Sequence, residues 1–214
     1  IGAIGGREIA EALTRCSVLS SLDLRSNLIG ADGAEALSAT LGVCTCLRQL
    51  QLASNQISGE VLSKLGEAIA NQRSLLRLDV SGNTIGAEGT ARLASIAQCT
   101  AITSLNLDGN WMGPTGVQSL ATVLRDLTAL TELVLSVNNV RSGGVGHLAG
   151  VLGGCVSLKR LSLHANQIGA IFDHLDDDTA GQRLNILLAA CPRIEHLDLG
   201  RNYIGNDGIG WIAG

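Results

Sequence analysis

The sequence predicts an α/β solenoid with the shape of a horseshoe, in which parallel strands line the concave face and helices cover the convex face. Three observations lead to this prediction: a repeated pattern of leucines, an asparagine that returns about every 28 residues, and an amphipathic segment after each asparagine. Hydrophobic residues make up 46% of the 214 residues, but aromatic residues only 2%. The core is therefore expected to consist of Leu, Ile, Val and Ala, supplied by many copies of one small unit.

The repeat is clearest when the sequence is aligned on asparagine. Each unit follows the pattern L-x-x-L-x-L-x-x-N-x-I, in which Ile, Val or Met sometimes replaces an apolar residue. The gaps between successive asparagines are 28, 28, 27, 28, 28 and 36 residues. The seven asparagines are Asn27, Asn55, Asn83, Asn110, Asn138, Asn166 and Asn202. A fixed period of this length is typical of stacked repeats, because one unit cannot bury its apolar face alone.

Each half of the unit predicts one element of secondary structure. The L-x-L pair alternates with period two, which predicts a short strand with one buried face. The asparagine then turns the chain, and its amide can satisfy backbone groups that the bend leaves unpaired. The second half predicts a helix, since Ala34, Leu37 and Leu41 recur at helical spacing and Asp32 stands near the helix N-terminus. Strands are about 4.8 Å apart but helices about 10 Å, so the stack must curve with its strands inside.

The 28-residue unit, with its full helix and the phrase I-G-x-x-G-x-x-x-L-x-x-x-L, resembles the leucine-rich repeats of the ribonuclease-inhibitor class. That class also includes the sensing ends of NOD-like receptors, the activator of the Ran GTPase and several ciliary proteins. The resemblance covers the whole chain and implies a single leucine-rich-repeat domain over residues 1–214, with about seven repeats. The segment 1–16 matches 29–44 in phase, and the chain stops early in an eighth helix, so we expect truncation at both ends.

Charge and composition argue against several kinds of partner and cofactor. The net charge of −4 offers no basic excess for a nucleic-acid backbone. No run of 18 apolar residues predicts a membrane span. The glycine-rich stretch 141–154 lacks the Lys-Ser/Thr of a phosphate-binding loop, so no cofactor is predicted.

Cysteine is concentrated at one position, the end of each predicted helix. The cysteines at this position are Cys16, Cys44, Cys99, Cys155 and Cys191, and the other repeats have Gln72 and Leu127 there. Exchange with Leu predicts a buried site for a modest apolar group. Cys46 lies beside Cys44, but no second cysteine pair completes a zinc site. Free buried thiols indicate a reducing compartment, so we expect an intracellular, cytoplasmic protein, with an axoneme or another assembly as one location.

The irregular repeat carries eight extra residues between Ile168 and Leu184. Insertions in solenoids form loops and often serve binding. The acidic cluster of this insertion is Asp173, Asp176, Asp177 and Asp178, with His174 among them and Phe172 before them. One interpretation is a cation site; the other, favoured by the absence of any metal-binding spacing, is that Asp178 or Thr179 caps the helix and the other carboxylates are solvated.

The strand residues that point away from the core vary between repeats, whereas the apolar residues of the repeat pattern stay constant. Such variation is typical of a surface that does not pack against the core. Trp111 and Tyr203 directly follow their asparagines, where most other repeats have polar residues, and exposed aromatic residues often anchor partners. The predicted partner-binding residues are Arg77, Asp79, Asn106, Asp108, Trp111, Glu132, Arg160, His164, His196, Asp198 and Tyr203. Two alternatives stay open: Trp111 covers a neighbouring loop, or the partner binds the convex face through Lys64 and Trp211.

These features favour a protein–protein interaction scaffold or recognition module without catalytic residues, as part of a sensor or of a large assembly. The second hypothesis is a regulator of an enzyme: a GTPase activator like the Ran activator, or an inhibitor like ribonuclease inhibitor. The resemblance implies a strongly acidic tail for such an activator. For such an inhibitor it implies more cysteine and a more acidic concave face. The sequence shows neither set of features.

Overall fold

The computed structural model describes residues 1–170 and 179–205. Within these ranges, strands and helices alternate along the chain, and all the strands form one parallel sheet in sequence order. The strands are β1 (Ser21–Asp23), β2 (Gln49–Gln51), β3 (Arg77–Asp79), β4 (Ser104–Asn106), β5 (Glu132–Val134), β6 (Arg160–Ser162) and β7 (His196–Asp198). The helices are α1 (Gly2–Leu13), α2 (Gly30–Leu41), α3 (Gly59–Ala70), α4 (Gly86–Arg92), α5 (Gly113–Leu124), α6 (Arg141–Leu152) and α7 (Thr179–Ala190).

The register of the sheet aligns equivalent residues of every repeat. The strands pair without offset, so that the central leucine of each strand lies beside the central leucine of the next. Leu50, Leu78, Leu105, Leu133 and Leu161 are at most 2% exposed. Each such leucine contributes about 1.5–3 kcal/mol by leaving water. The core therefore lies between the sheet and the helix layer, and the predicted α/β solenoid is confirmed.

The seven repeat asparagines form a hydrogen-bonded ladder, as the sequence predicts. In Asn83, Oδ1 accepts from the backbone N–H groups of Asn55 and Ile57, both at 3.0 Å. Its Nδ2 donates to the carbonyls of Leu52, Val80 and Ser81 at 3.1, 2.8 and 3.1 Å. One amide thus joins two repeats and closes its own turn. The asparagine ladder is structural.

The repeat that begins at Asn83 is one residue shorter than its regular neighbours, and the structure shows where the loss is absorbed. Helix α4 ends at Arg92 and continues as a 3₁₀ segment, Leu93–Gln98. A 3₁₀ helix rises about 2.0 Å per residue against about 1.5 Å for an α-helix, so fewer residues span the same layer. In the next repeat the Oδ1 atom of Asn110 is buried and has no hydrogen-bond partner in the described part of the chain.

The position shared by most cysteines is buried in most repeats, as predicted, and its Cys and Gln side chains also donate hydrogen bonds. The Cys99 thiol donates to the Ile69 carbonyl at 3.0 Å, and the Cys155 thiol to the Leu124 carbonyl at 3.3 Å. At the same position, Gln72 Nε2 donates to the Leu41 carbonyl at 2.6 Å. These carbonyls lie at the C-terminal end of the preceding helix, where backbone acceptors lack intrahelical partners. All six cysteines are free thiols.

The helices begin differently from the sequence expectation. Asp32 lies in the first turn of α2 but makes no capping bond; its carboxylate accepts a hydrogen bond from Arg7 at 2.9 Å. The helix start is fixed instead by Gly30, whose φ of 65° is a left-handed conformation that suits glycine. Its N–H donates to the carbonyl of Asn55 in the next repeat at 2.9 Å. The glycine of the I-G phrase therefore links neighbouring repeats.

Candidate protein-binding surface

The first and third residues of each strand point away from the core, as alternation predicts. Arg77 and Arg160 at the first position are exposed, and Asp79 and Asn106 at the third are partly exposed. Adjacent strands stand about 4.8 Å apart, so these side chains form a continuous field on the concave face. The sequence-predicted columns are therefore side by side in the structure.

Two grooves cross this field and bring most of the predicted residues together. The β2–β5 groove, of about 220 Å³, is lined among others by Arg77, Asp79, Asn106 and Glu132. The β5–β7 groove, of about 450 Å³, is lined among others by Glu132, Arg160, His196 and Asp198. Glu132 and Val134 belong to both, so the two grooves meet at β5. The remaining predicted residues, Asp108, Trp111, His164 and Tyr203, do not line either groove.

Several groove residues were not among the predicted binding residues, and three of them are large and polar. Gln49 and Gln51 line the β2–β5 groove, and Glu195 lines the β5–β7 groove. The glutamines stand at outward strand positions, so the alternation pattern already marks them as exposed. Glu195 precedes its strand, and its carboxylate accepts a hydrogen bond from Lys159 at 2.6 Å. That contact lowers the pKa of Glu195.

Some predicted binding residues also have a structural task at the end of their strand. Asp79 Oδ1 accepts from the backbone N–H and the hydroxyl of Ser81 at 3.0 and 2.7 Å. Asn106 Oδ1 likewise accepts from the Asp108 N–H at 3.1 Å, and Asp198 Oδ1 from the Gly200 N–H at 2.9 Å. These short Asx bonds fix the turn that leads to the asparagine ladder. Substituting these residues would therefore disturb the backbone as well as the surface.

Ser162, His164 and Asp198 lie together, but their arrangement is not that of a catalytic triad. The Ser162 hydroxyl donates to Asp198 Oδ2 at 3.3 Å, and His164 Nδ1 lies 3.4 Å from Asp198 Oδ1. A triad requires the histidine to accept the serine proton, whereas here the serine points to the carboxylate. The Gly200 N–H, with help from His164 and Ser162, keeps the pKa of Asp198 below its usual value. The network positions polar groups on the concave face.

Asp108 is a concave-face carboxylate with one oxygen that lacks a hydrogen-bond partner in the described residues. It is half-buried, and its Oδ1 atom is inaccessible to solvent and has no hydrogen-bond partner among residues 1–170 and 179–205. Burial, followed by the charge of Asp79, raises the pKa of Asp108, while His164 and the backbone N–H of Gly109 oppose this effect. Asp108 therefore lies in a locally negative, partly dehydrated environment.

The two aromatic residues after the ladder asparagines are exposed, as predicted: Trp111 by 68% and Tyr203 by 65%. Exposure of this size does not fit the alternative in which Trp111 covers a neighbouring loop. Trp111 also has a φ of 58°, a left-handed conformation that is uncommon for a bulky side chain. Both residues stand at the rim of the concave face, beside the C-terminal ends of the strands.

Several sequence predictions concern residues outside the described ranges. The acidic residues of the insertion, Asp173, Asp176, Asp177 and Asp178, lie there together with Phe172, His174 and Trp211. Among the described residues, no three His, Cys, Asp or Glu side chains are grouped to hold a metal ion. On the convex face, Lys64 forms an ion pair with Glu35. No helix in the described part of the chain is long and apolar enough to cross a membrane.

The family model of the leucine-rich repeat matches residues 15–38, 43–66, 71–94, 98–121 and 190–213. These segments cover more than half of the chain and contain five of the seven ladder asparagines, Asn27, Asn55, Asn83, Asn110 and Asn202. The chain therefore belongs to the leucine-rich-repeat family. The full helix in most units agrees with the resemblance to the ribonuclease-inhibitor class.

Among solved structures, the chain is similar to the actin-binding site 2 domain of leiomodin-1, with a TM-score of 0.52 and 15% identity. The match covers 59% of this chain and 76% of the leiomodin chain. At this identity the likeness shows a common repeat fold and no common partner. No curated protein sequence matches the chain.

Proposed function

We propose that the chain is a protein–protein interaction module, a scaffold or recognition unit, that binds a protein along its concave face. One observation carries the proposal: two adjoining grooves are lined by side chains that vary between repeats above a frame that does not vary. Curved solenoids use such extended concave surfaces for binding. The grooves hold charges of both signs, which suits a polar protein surface better than nucleic acid or lipid.

Three further observations support a non-catalytic role and a cytoplasmic setting. Burial raises the pKa of the Cys99 and Cys155 thiols to about 11, which keeps them protonated and weakly nucleophilic at neutral pH. In the Ser162–His164–Asp198 set of the concave face, the serine hydroxyl donates to the carboxylate and not to the histidine. Six free thiols fit a reducing compartment such as the cytoplasm.

The rim adds aromatic anchors to the polar grooves. Solvent-exposed tryptophan is enriched among residues that dominate binding energy. If Trp111 is an anchor, Trp111→Ala should weaken binding by about 2 kcal/mol or more. Arg92→Ala, on the exposed surface of the helix layer, is the matched control and should change the affinity little.

Site-specific photocrosslinking tests which face is used. A photoreactive phenylalanine analogue would replace Gln51 in the β2–β5 groove or, as the control, Arg92 on the helix layer. We expect a discrete crosslinked protein from position 51 only. This partner, once purified, should bind the wild-type chain and should bind Trp111→Ala more weakly. Crosslinks confined to position 92 would contradict the concave-face proposal and favour the convex face around Lys64.

A further inference from the structure

Val134 interrupts the polar pattern of the concave face. It is the third residue of β5, and its side chain points outward and is partly exposed. Val134 lines both grooves, so an apolar group lies where they meet. Residues that dominate binding energy are concentrated at such central, partly enclosed positions. The third residue of every other described strand is polar: Asp23, Gln51, Asp79, Asn106, Ser162 and Asp198.

The polar groups on the β6 side of Val134 are bonded to one another. Ser162, the register partner of Val134, shares a hydrogen bond with the Ser136 hydroxyl at 2.8 Å. Ser162 also donates to Asp198 Oδ2 at 3.3 Å. Covering a polar group is costly mainly when it loses its hydrogen-bond partner. An apolar side chain laid over Val134 would leave these bonds in place, so this part of the groove favours an apolar occupant.

Arg160 brings an unbonded donor group to the β5–β7 groove. Its guanidinium group is exposed, and no hydrogen bond or ion pair joins it to another described residue. The Glu132 carboxylate on the neighbouring strand accepts a hydrogen bond from the Ser104 hydroxyl at 2.9 Å. The Glu195 carboxylate accepts one from Lys159 at 2.6 Å. The Arg160 fork is therefore open to a carboxylate that a partner supplies.

Val134 and Arg160 are close enough to bind one short segment. Arg160 pairs in register with Glu132, the residue two positions before Val134. With about 4.8 Å between strands and about 3.3 Å per residue, the Cα atoms of Val134 and Arg160 are roughly 8 Å apart along the diagonal. In an extended partner segment, residues two positions apart point to the same side and are about 6.6 Å apart. One apolar and one acidic residue in this spacing would reach both groups.

We propose that the β5–β7 groove binds an extended segment of the protein partner, in which an aliphatic side chain contacts Val134 and an acidic side chain two residues away binds Arg160. The proposal rests on the concave-face function and specifies the chemistry of the partner. Charge complementarity favours an acidic residue at the second position. A basic residue there would face a guanidinium group of like charge and carboxylates that already have donors.

The test uses a defined peptide in place of the partner. A capped Gly-Leu-Ser-Glu-Gly peptide would be titrated into protein labelled with ¹³C at the valine methyl groups. The Val134 signals, assigned with Val134→Ile, are followed by NMR, and we expect a saturable shift. Two control peptides should bind more weakly by about tenfold or more: Gly-Ser-Ser-Glu-Gly, which lacks the aliphatic side chain, and Gly-Leu-Ser-Lys-Gly, which reverses the charge.

Each control peptide can contradict one half of the proposal. Equal binding of the serine peptide would overturn the aliphatic contact with Val134. Equal binding of the lysine peptide would overturn the acidic contact with Arg160. No shift with any of the three peptides would overturn the proposal as a whole.

Two pairs of variants test the same contacts from the protein side. Val134→Asn introduces the residue that β4 has at this position, Asn106, and should weaken peptide binding by about tenfold or more with an unchanged urea midpoint. Val18→Asn, at an exposed valine before β1, is its control. Arg160→Gln should also weaken binding, whereas Arg92→Gln on the helix layer should not. If Val134→Asn lowers the urea midpoint, Val134→Thr repeats the test with the branched shape retained. Equal affinities within each pair would overturn the proposal.

The outcomes separate this proposal from the general function. Crosslinking from position 51, together with peptide binding that is indifferent to Val134→Asn and Arg160→Gln, would reject this chemistry but keep the concave-face module. Peptide binding that depends on both residues, without any partner crosslinked from the concave face, would reject the module and keep the peptide-binding groove.

Discussion

The asparagine ladder and the cysteine position lie at opposite ends of the strands, and both connect neighbouring repeats through backbone groups. They differ in how strictly they fix the amino acid. The ladder position is asparagine in all seven repeats, whereas the other position holds cysteine, glutamine or leucine. Both are mostly buried, so burial alone does not explain the difference.

The number of hydrogen bonds explains it. The amide of Asn83 makes five, and it uses both its acceptor and its donors. No other side chain of that size offers the same set in the same geometry. At the cysteine position, Cys155 supplies a single weak donor to the carbonyl of Leu124, and a side chain that only fills the space suffices. The amino acid is therefore invariant where one side chain must satisfy many backbone hydrogen-bonding groups at once.

The largest expected effect is at the ladder. Asn83→Ala removes the amide and leaves buried backbone groups of two repeats unpaired, which should lower the free energy of unfolding by roughly 1–3 kcal/mol. Urea denaturation, monitored by circular dichroism, measures this loss of stability. Asn185→Ala, on the exposed side of α7, is the control and should keep the wild-type midpoint.

Asn110→Ala refines the same comparison. Its Nδ2 donates to three carbonyls like that of Asn83, but its Oδ1 has no donor among the described residues. The loss of stability should therefore be smaller than for Asn83→Ala in the same denaturation experiment. An equal or larger loss would show that the number of hydrogen bonds does not determine how much each asparagine contributes to stability.

The buried thiols predict a loss of stability at alkaline pH. Burial raises the pKa of Cys99 and Cys155 from 9.0 to about 11, so the folded chain holds these protons more tightly than the unfolded chain. Their contribution is complete below about pH 9 and is lost as the pH rises to about 11. Urea midpoints of the double variant Cys99→Ser, Cys155→Ser should decline less over this window than those of the wild type. Cys46→Ser, at an exposed position, should follow the wild type.

The smallest effect is expected for Gln72→Leu. The substitution removes the bond to the Leu41 carbonyl but also removes a buried Oε1 atom that lacks a partner in the described structure. Leu127 occupies the equivalent position in another repeat. We expect a change within about 1 kcal/mol in the free energy of unfolding. A loss as large as that of Asn83→Ala would contradict the tolerance assigned to this position.

The concave face was predictable in outline because strand alternation alone decides which side chains point outward. Seven of the predicted residues line the two grooves, and the exposure of Trp111 and Tyr203 followed from the polar residues of the other repeats at the same position. The grooves themselves were not predictable. Their walls combine side chains of neighbouring strands, and Glu195 enters from a position before its strand.

The sequence by itself determined the repeat, the order of strands and helices and the asparagine ladder, because each depends on a local period and on what one side chain can bond. The tertiary structure decided the contacts between repeats, such as Ser162 with Asp198, 36 residues apart. It also decided that the short repeat ends in a 3₁₀ segment and that the Oδ1 atom of Asp108 lacks a donor in the described residues. These features depend on distances between residues of different repeats, which the sequence period brings near each other but does not place to within hydrogen-bonding distance.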